Sequence, residues 1–392
     1  MDLLLTGASG LLGGELAVAL SRRREIERIH CLLRPRADAT CAERLRAIFA
    51  LHGDPMDPDR ILPVAGDLLD PDLAERLATD PALARVEIVI HAAANTSFLR
   101  ANDAVVRATN VGALERLLRW ARGHAPLRTF VLVGTAMIRG TDRPPGLVRE
   151  DEAPDRAARH LVEYTRSKME AELLLEEALP PERRLVVRPS IILGDSRALV
   201  PRSPVVLWAM AALNRLRLLC VDPDAPLDMI PVDHAARTIT ALLFAEGPER
   251  GHGVYHISAG SGGATSARRL AEVLEMHFDD LPPFAWLPSS VLPELRRWLR
   301  GHTDGAGALG GYGPYLDHWR RTLGAPRRVL TVLAALEPYL RFMELGHVFD
   351  DARIAAATGP LGVERPPPAH VYIAPSMRHL ARIDVLRGAY DP

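Results

Sequence analysis

The chain is nearly devoid of lysine. Of the 48 basic residues among its 392, one is lysine, Lys168, and 48 − 1 = 47 are arginine. Cysteine is sparse too: Cys31, Cys41 and Cys220 form no CxxC pair and no other metal-ligand spacing. An odd, small count suits a reducing cytoplasm better than a disulfide framework. Neither sign of charge is in excess, since 48 basic against 49 acidic groups leave a net charge of −1, which gives no reason to expect nucleic acid or another polyanion as partner. Long hydrophobic runs are missing as well. The most apolar later stretch, Pro204–Leu213, is too short to span a bilayer before Asn214 and Arg215 interrupt it, so no integral membrane segment is expected. Met1 leads directly into a short apolar run and a glycine-rich turn, which is not the pattern of a signal peptide. The expectation is a soluble cytoplasmic protein, monomeric or homodimeric.

With 48% hydrophobic and 25% charged residues the chain has an ordinary globular composition. Short apolar runs alternate with longer amphipathic segments over its first two thirds. The runs Asp2–Leu5, Arg28–Leu33, Ile61–Ala65, Glu87–His91, Thr129–Val133, Leu185–Ile192 and Val254–Ile257 read as strands. The segments Leu11–Ser21, Ala42–Leu51, Asp72–Ala78, Ala104–Arg122 and Ala157–Ala178 read as helices. Strands rich in Val, Ile and Leu separated by helices predict an α/β fold, a doubly wound parallel sheet of the Rossmann kind. After about Gly260 the alternation stops. Helical patterns continue at Ser266–His277, Ser290–Arg300 and Arg327–Leu345, around a glycine-rich lid candidate at Gly301–Gly313 and an extended, proline-rich Glu364–His370. This predicts a nucleotide-binding domain over 1–198 and 222–260, with a smaller, mainly helical substrate lobe over 199–221 and 261–392.

The first strand runs straight into Thr6-Gly7-Ala8-Ser9-Gly10-Leu11-Leu12-Gly13, and a helical pattern begins at once. Glycines at such spacing occur in ordinary tight turns. Between a strand and a helix, however, the backbone amides and the helix N-terminus hold a pyrophosphate. An NAD site usually places an acid about 20 residues further on, to bond the ribose 2′-hydroxyl. This chain has Cys31-Leu32-Leu33-Arg34-Pro35-Arg36 there. Arg34 and Arg36 suit a 2′-phosphate, so the reading favours NADP over NAD, against the plain alternative of two solvated arginines. Gly66-Asp67-Leu68 follows the third strand and His91-Ala92-Ala93-Ala94 the fourth. Asp67 is placed to accept from an adenine amino group, and the alanines allow close approach of a cofactor at the carboxyl ends of the strands.

The lone lysine lies in Tyr164-Thr165-Arg166-Ser167-Lys168. On a helix, i and i+4 share a face, so the phenol and the ammonium project the same way. A free tyrosine titrates near ~10, and a cation beside it is expected to lower that value towards the working range. YxxxK is common by chance on amphipathic helices, but here it holds the only lysine in the chain. Thr135 follows the fifth strand, where a hydroxyl reaches the crevice or merely caps a turn. Asn110 is one of four asparagines and sits inside a helical segment, bonding either backbone near the site or solvent.

Together these residues resemble the extended short-chain dehydrogenase/reductase superfamily. The marks are Thr6, Gly7, Gly10 and Gly13 of the TGxxGxxG turn, Asp67, Ala92–Ala94, Asn110, Thr135 and Tyr164/Lys168. Later marks are Arg188-Pro189-Ser190-Ile191-Ile192-Leu193-Gly194, Asp228 to Asp233 and Tyr255 to Ser258. The resemblance covers roughly residues 1–260. It implies cofactor contacts from Thr6, Gly7, Ser9, Gly10, Leu11, Leu12, Gly13, Arg34, Arg36, Asp67, Leu68, Ala92, Ala93, Ala94, Tyr164, Lys168, Pro189, Ser190 and Ile192. It also implies catalytic roles for Thr135, Tyr164, Lys168 and Asn110, and no metal.

Within the superfamily the chain is most similar to the thioester reductase and fatty acyl-CoA reductase branch, through Cys31–Arg34, Gly66–Leu68, His91–Phe98, Arg188–Ser190 and Gly194-Asp195-Ser196. Pro338–Phe342 with Val348–Asp350 is a fainter match to the tail of that branch. It departs at Gly134, where a serine is frequent. The resemblance implies NADPH-dependent reduction of an acyl thioester, on coenzyme A or on a carrier protein, to the aldehyde and, with a second hydride, the alcohol. Thr135 and Tyr164 would hold the oxyanion, and Asp195 or Ser196 would meet the pantetheine arm. Trp208, Met210, Trp286 and Trp298 are candidates for an acyl pocket or for the core of the lobe. The rival readings are a ketone/alcohol (steroid-type) or sugar-nucleotide enzyme with the same triad, and a regulator that binds the cofactor without catalysis.

Overall fold

Short runs of Leu, Ile and Val bury both faces only when a sheet is covered by helices on each side, and that is the arrangement here. The computed structural model describes residues 1–197, 204–245, 253–300 and 309–390. Seven parallel strands form one sheet: β1 (Asp2–Thr6), β2 (Arg28–Leu33), β3 (Ile61–Ala65), β4 (Val86–His91), β5 (Thr129–Val133), β6 (Arg184–Pro189) and β7 (Gly253–Ile257). Their spatial order is β3-β2-β1-β4-β5-β6-β7. The chain therefore reverses direction across the sheet between β1 and β4, and Thr6 at the end of β1 lies in register with both Leu32 and His91. That reversal leaves a crevice beyond the carboxyl ends of the two strands.

Successive residues of a strand face opposite sides. Leu3 and Leu5 pack with Leu16, Ile29 and Ile239 on one face. Leu4 packs with Leu117, Phe130 and Leu175 on the other. The helices α1 (Leu11–Ser21), α2 (Cys41–Leu51), α3 (Leu73–Thr79), α4 (Asp103–Arg107), α5 (Ala113–Gly123) and α6 (Glu163–Ala178) connect the strands. A capping box, Thr40 with Glu43, starts α2. A second apolar core is built largely from α7 (Pro204–Leu216), α9 (Ala267–His277), α10 (Leu292–Leu299), α11 (Gly313–Thr322) and α12 (Pro326–Glu344), with the C-terminal turns to Ala389. The helix α8 (Val232–Leu243), absent from the expected elements, packs against α1.

Three expected elements differ in detail. The segment expected as helix over 157–178 becomes helical only at Glu163, because the preceding backbone is held in turns: Ala157 N bonds Asp155 Oδ1 at 2.8 Å and Thr141 N bonds Arg159 O at 2.8 Å. The expected helix over 104–122 is two helices around a π turn at Ala108–Gly112. The strand expected over 185–192 stops at Pro189, whose missing N–H ends the ladder, and Ile191–Ile192 pairs instead with Met229–Ile230. A short parallel pair, Gly146–Val148 with His347–Phe349, is a further element that the sequence pattern does not announce. Of the glycine-rich stretch, residues 301–308 lie outside the described residues, while Gly310–Tyr312 form a 3-10 turn leading into α11. The triproline stretch lacks regular structure through Pro368, after which Ala369–Tyr372 turn helical. Among the described residues no helix is long and apolar enough to cross a membrane.

Candidate active site

The glycine turn is built by contact between backbones. Gly7 has φ +78°, and a Cβ there would stand 2.6 Å from Ala93 N. A Cβ on Gly13 would stand 2.1 Å from the carbonyl oxygen of Gly7. Neither position accepts a side chain, so the turn lies flat against the β4 loop and the start of α1 approaches it closely. The Thr6 hydroxyl accepts from Ala93 N at 3.3 Å and lies 2.8 Å from His91 Nδ1, locking the ends of β1 and β4 together. Burial and the nearby Lys168 charge push the His91 imidazole down to about 3, so it is neutral at physiological pH.

A cavity of about 580 Å³ opens on this turn. Ser9 to Gly13, Ala92, Ala94, Pro189, Ser190 and Ile192 line it at one end, with Thr135, Tyr164 and Lys168 at its middle. The uncovered glycines, the adjoining α1 N-terminus and the small alanines opposite form a cradle that fits a dinucleotide pyrophosphate and nicotinamide.

The remaining expected cofactor residues lie outside this cavity. Thr6 and Ala93 stand behind its wall, tied to each other by the bond between them. Asp67 Oδ1 accepts from Leu69 N at 3.0 Å, and Leu68 packs partly against the apolar core beside β3. Arg36 is paired with Asp38 through Nε and Nη2, at 3.0 and 3.1 Å. Arg34 is exposed just past β2, and its guanidinium pairs with no described side chain.

Tyr164 and Lys168 occupy the first two turns of α6 on one face, as the spacing predicts. Lys168 is buried and donates from Nζ to the carbonyl oxygen of Val133, the last residue of β5, at 2.7 Å. Desolvation brings its pKa down to about 8. The expected effect on the phenol is reversed. Burial pushes Tyr164 up to about 12, opposed by a hydrogen bond with Thr135. The reason is geometric: the ammonium is directed at a strand carbonyl, and the ring lies among apolar neighbours, with Phe98 at a centroid distance of 6.0 Å. A phenol that keeps its proton at neutral pH is a proton donor. Thr135 stands in extended backbone just after β5, where its Oγ1 accepts from Met137 N at 3.3 Å.

Asn110 does not line the cavity. The π turn points its amide inward, where Oδ1 accepts from Asn95 N at 2.8 Å and Nδ2 donates to Asn95 O at 3.0 Å and Ser167 Oγ at 2.9 Å. Its role is therefore positioning: it fixes the loop after β4 against the helix carrying Tyr164 and Lys168. One turn beyond Lys168, Glu172 forms a buried ion pair with Arg188 of β6, with Arg188 Nε 3.0 Å from Glu172 Oε2 and a second, shorter contact from Nη2.

The other half of the cavity lies between helices. Val206, Ala209, Met210 and Leu213 of α7 face Tyr339, Phe342 and Met343 of α12, with Met229 and Leu270 beyond. Of the residues expected around an acyl pocket, only Met210 lines it. Trp208 points away and donates to Val385 O at 3.0 Å, while Trp286 and Trp298 pack against the core of the lobe. Asp195 and Ser196 are also engaged elsewhere, Asp195 with Arg197 (2.6 Å) and Ser196 Oγ with Asp233 (2.6 Å).

A family model described as "Male sterility protein" matches residues 5–239. A linear gramicidin synthase of Brevibacillus parabrevis is 30% identical over 251 residues, covering 62% of this chain and 5% of that protein. This chain thus spans about a twentieth of that relative's length. The terminal R domain from the myxalamid PKS-NRPS biosynthetic pathway superposes with a TM-score of 0.70 at 24% identity, covering 99% of this chain and 91% of that one. A thiolation-reductase di-domain from an archaeal non-ribosomal peptide synthetase gives a TM-score of 0.66 at 18% identity, covering 98% and 76%.

Proposed function

The chain belongs to the male sterility protein family of the extended short-chain dehydrogenase/reductases, and on that premise we propose that it reduces an acyl thioester to an aldehyde at the expense of NADPH. The single observation that carries the reading is one continuous cavity joining the glycine cradle, the Thr135–Tyr164–Lys168 cluster and an apolar pocket between α7 and α12. The nicotinamide supplies a hydride when bound. The chain's own groups do the rest. Thr135 and Tyr164 donate hydrogen bonds to the thioester oxygen as it becomes an oxyanion. Tyr164, protonated at neutral pH, gives up its proton to that oxygen. Collapse of the resulting hemithioacetal breaks the C–S bond, and the thiol leaves with a proton. Lys168, anchored on Val133, presents further N–H donors to a ribose and its charge to the phenol.

Arg34, exposed past β2 where an NAD site carries an acid, supports NADPH over NADH. The resemblance to a thiolation-reductase di-domain supports a carrier-borne acyl group as well as one on coenzyme A. The two bodies around the cavity divide the labour as nucleotide-binding domain and substrate lobe. A panel of acyl thioester, ketone and sugar nucleotide, each offered with NADPH, tests the reading. Consumption with the thioester is the expected result, and turnover of the ketone or sugar nucleotide alone contradicts it.

A further inference from the structure

The walls of the cavity beyond Tyr164 are built to a pattern that the reaction itself does not require. On α7, Val206, Ala209, Met210 and Leu213 follow i, i+3, i+4, i+7 and form one stripe. On α12, Tyr339, Phe342 and Met343 form a second stripe facing it, at i, i+3, i+4. Phe98 bridges the two halves, with ring centroids 4.7 Å from Tyr339 and 5.3 Å from Phe342. The Tyr339 hydroxyl is itself buried, so the ring forms the wall. Among the described residues of this half, none is charged, and none offers an amide or an exposed hydroxyl. A peptide group placed here would lose its water without gaining a partner, at a cost of roughly 1–3 kcal/mol for each unpaired polar group.

From this we infer that the pocket selects an apolar acyl chain over a peptidyl one, and that Ala209 sets the length it accepts. The inference rests on the thioester reading above and names the substrate class for that same site. Ala209 is the smallest side chain on either stripe and lies between Val206 and Leu213, midway along the α7 wall. A larger residue there projects directly into the channel and closes it part-way. Met210, Met229 and Met343 supply flexible thioethers, so the walls adapt to the shape of a chain while remaining apolar. The pocket therefore discriminates by length and polarity more than by branching.

The test is a series of thioesters on a common pantetheine thiol, with butyryl, octanoyl, dodecanoyl and dipeptidyl acyl groups, followed by NADPH consumption. For the wild-type chain kcat/KM rises with chain length, by up to about fourfold per methylene buried, and the dipeptidyl thioester is the poorest substrate. In Ala209→Phe the ratio of dodecanoyl to butyryl kcat/KM falls by about tenfold or more, the loss of two or more such methylenes. Leu270→Ala, which enlarges the same end, moves the preference to longer chains. A flat length profile in the wild type, a preferred dipeptidyl substrate, or an unchanged length ratio in a folded Ala209→Phe each overturns the pocket assignment while leaving thioester reduction standing. No turnover of any thioester overturns both.

Discussion

Lys168 Nζ lies 2.7 Å from the carbonyl oxygen of Val133, so the only lysine in the chain is anchored to the strand end that delivers Thr135. This bond sets where the ammonium stands relative to Tyr164, one helical turn back. A guanidinium is longer and planar, and it cannot take that carbonyl and still present compact donors to a ribose. Lys168→Arg therefore loses activity almost as Lys168→Met does, by roughly 10²–10⁴-fold in kcat, although arginine serves at every other cationic position. Desolvation puts the lysine near 8, so its charge is lost as pH rises through that value. The rate of thioester reduction falls above pH ~8 in the wild type, and a pH–rate profile that stays flat to pH 10 contradicts this assignment.

Gly13→Ala tests the cradle. Its Cβ would meet the Gly7 carbonyl oxygen at 2.1 Å, so either the turn or the start of α1 must move. Overpacking of this kind costs about 1–3 kcal/mol, and expressed in cofactor affinity that is about tenfold to a hundredfold. Titration of NADPH fluorescence measures it. An unchanged Kd would show that the nucleotide lies elsewhere.

The buried pair of Glu172 and Arg188 ties α6 to β6 beneath the site. Removing one partner leaves an uncompensated charge in the interior. Arg188→Ala is therefore destabilising by about 3–5 kcal/mol, read as a lower midpoint in urea. Replacing both by apolar residues of similar size recovers much of that loss, because no charge is then left unpaired.

Stability falls on acidification below neutral pH. Burial holds His91 near 3, His234 near 4 and His256 near 3, all well below 6.5. Between those values the unfolded chain binds protons that the folded chain does not, so these groups make stability rise with pH. Glu150 and Asp228 act oppositely: burial raises them to about 7 and about 6, and their folded forms keep protons that the unfolded chain has lost. Three histidines with the larger shifts outweigh two carboxyls. The net loss from pH 7 to pH 5 is on the order of 2 kcal/mol. Thermal melts across that range check the sign, and a rising Tm on acidification would reverse it.

The sheet was legible in the sequence because buried parallel strands are unbroken Val/Ile/Leu runs, and all seven lie within a residue or so of the expected runs, apart from the break after Pro189. Tyr164 and Lys168 were legible through composition, since a chain that otherwise uses arginine placed its one lysine there. The electrostatics were not. Only the fold shows the ammonium turned to Val133 and the phenol desolvated, which raises the tyrosine instead of lowering it. Asn110 was singled out by rarity, but its work behind the wall depends on a π turn that no local pattern announces. The acyl pocket was the least readable part. Val206, Ala209, Met210 and Leu213 have the spacing of an ordinary core-facing stripe, and nothing in that spacing distinguishes a filled core from a cavity. Trp208, adjacent in sequence and bulkier, pointed the expectation the wrong way. The one cue in the sequence was the aromatic pair Tyr339 and Phe342 in the tail segment.

The central claim is a hydride delivered to a thioester carbon with loss of the thiol. It is tested most directly by mixing the protein with an octanoyl thioester and NADPH carrying deuterium at the transferable position, then measuring thiol release and the mass of the product. The account predicts one free thiol for each octanal formed, with one deuterium on the aldehyde carbon, or a second on the same carbon if reduction continues to octanol, and no product from Tyr164→Phe beyond background. Thiol released without deuterium in the product would mean hydrolysis, and full activity in Tyr164→Phe would remove the proton donor on which the mechanism depends; either result contradicts the account.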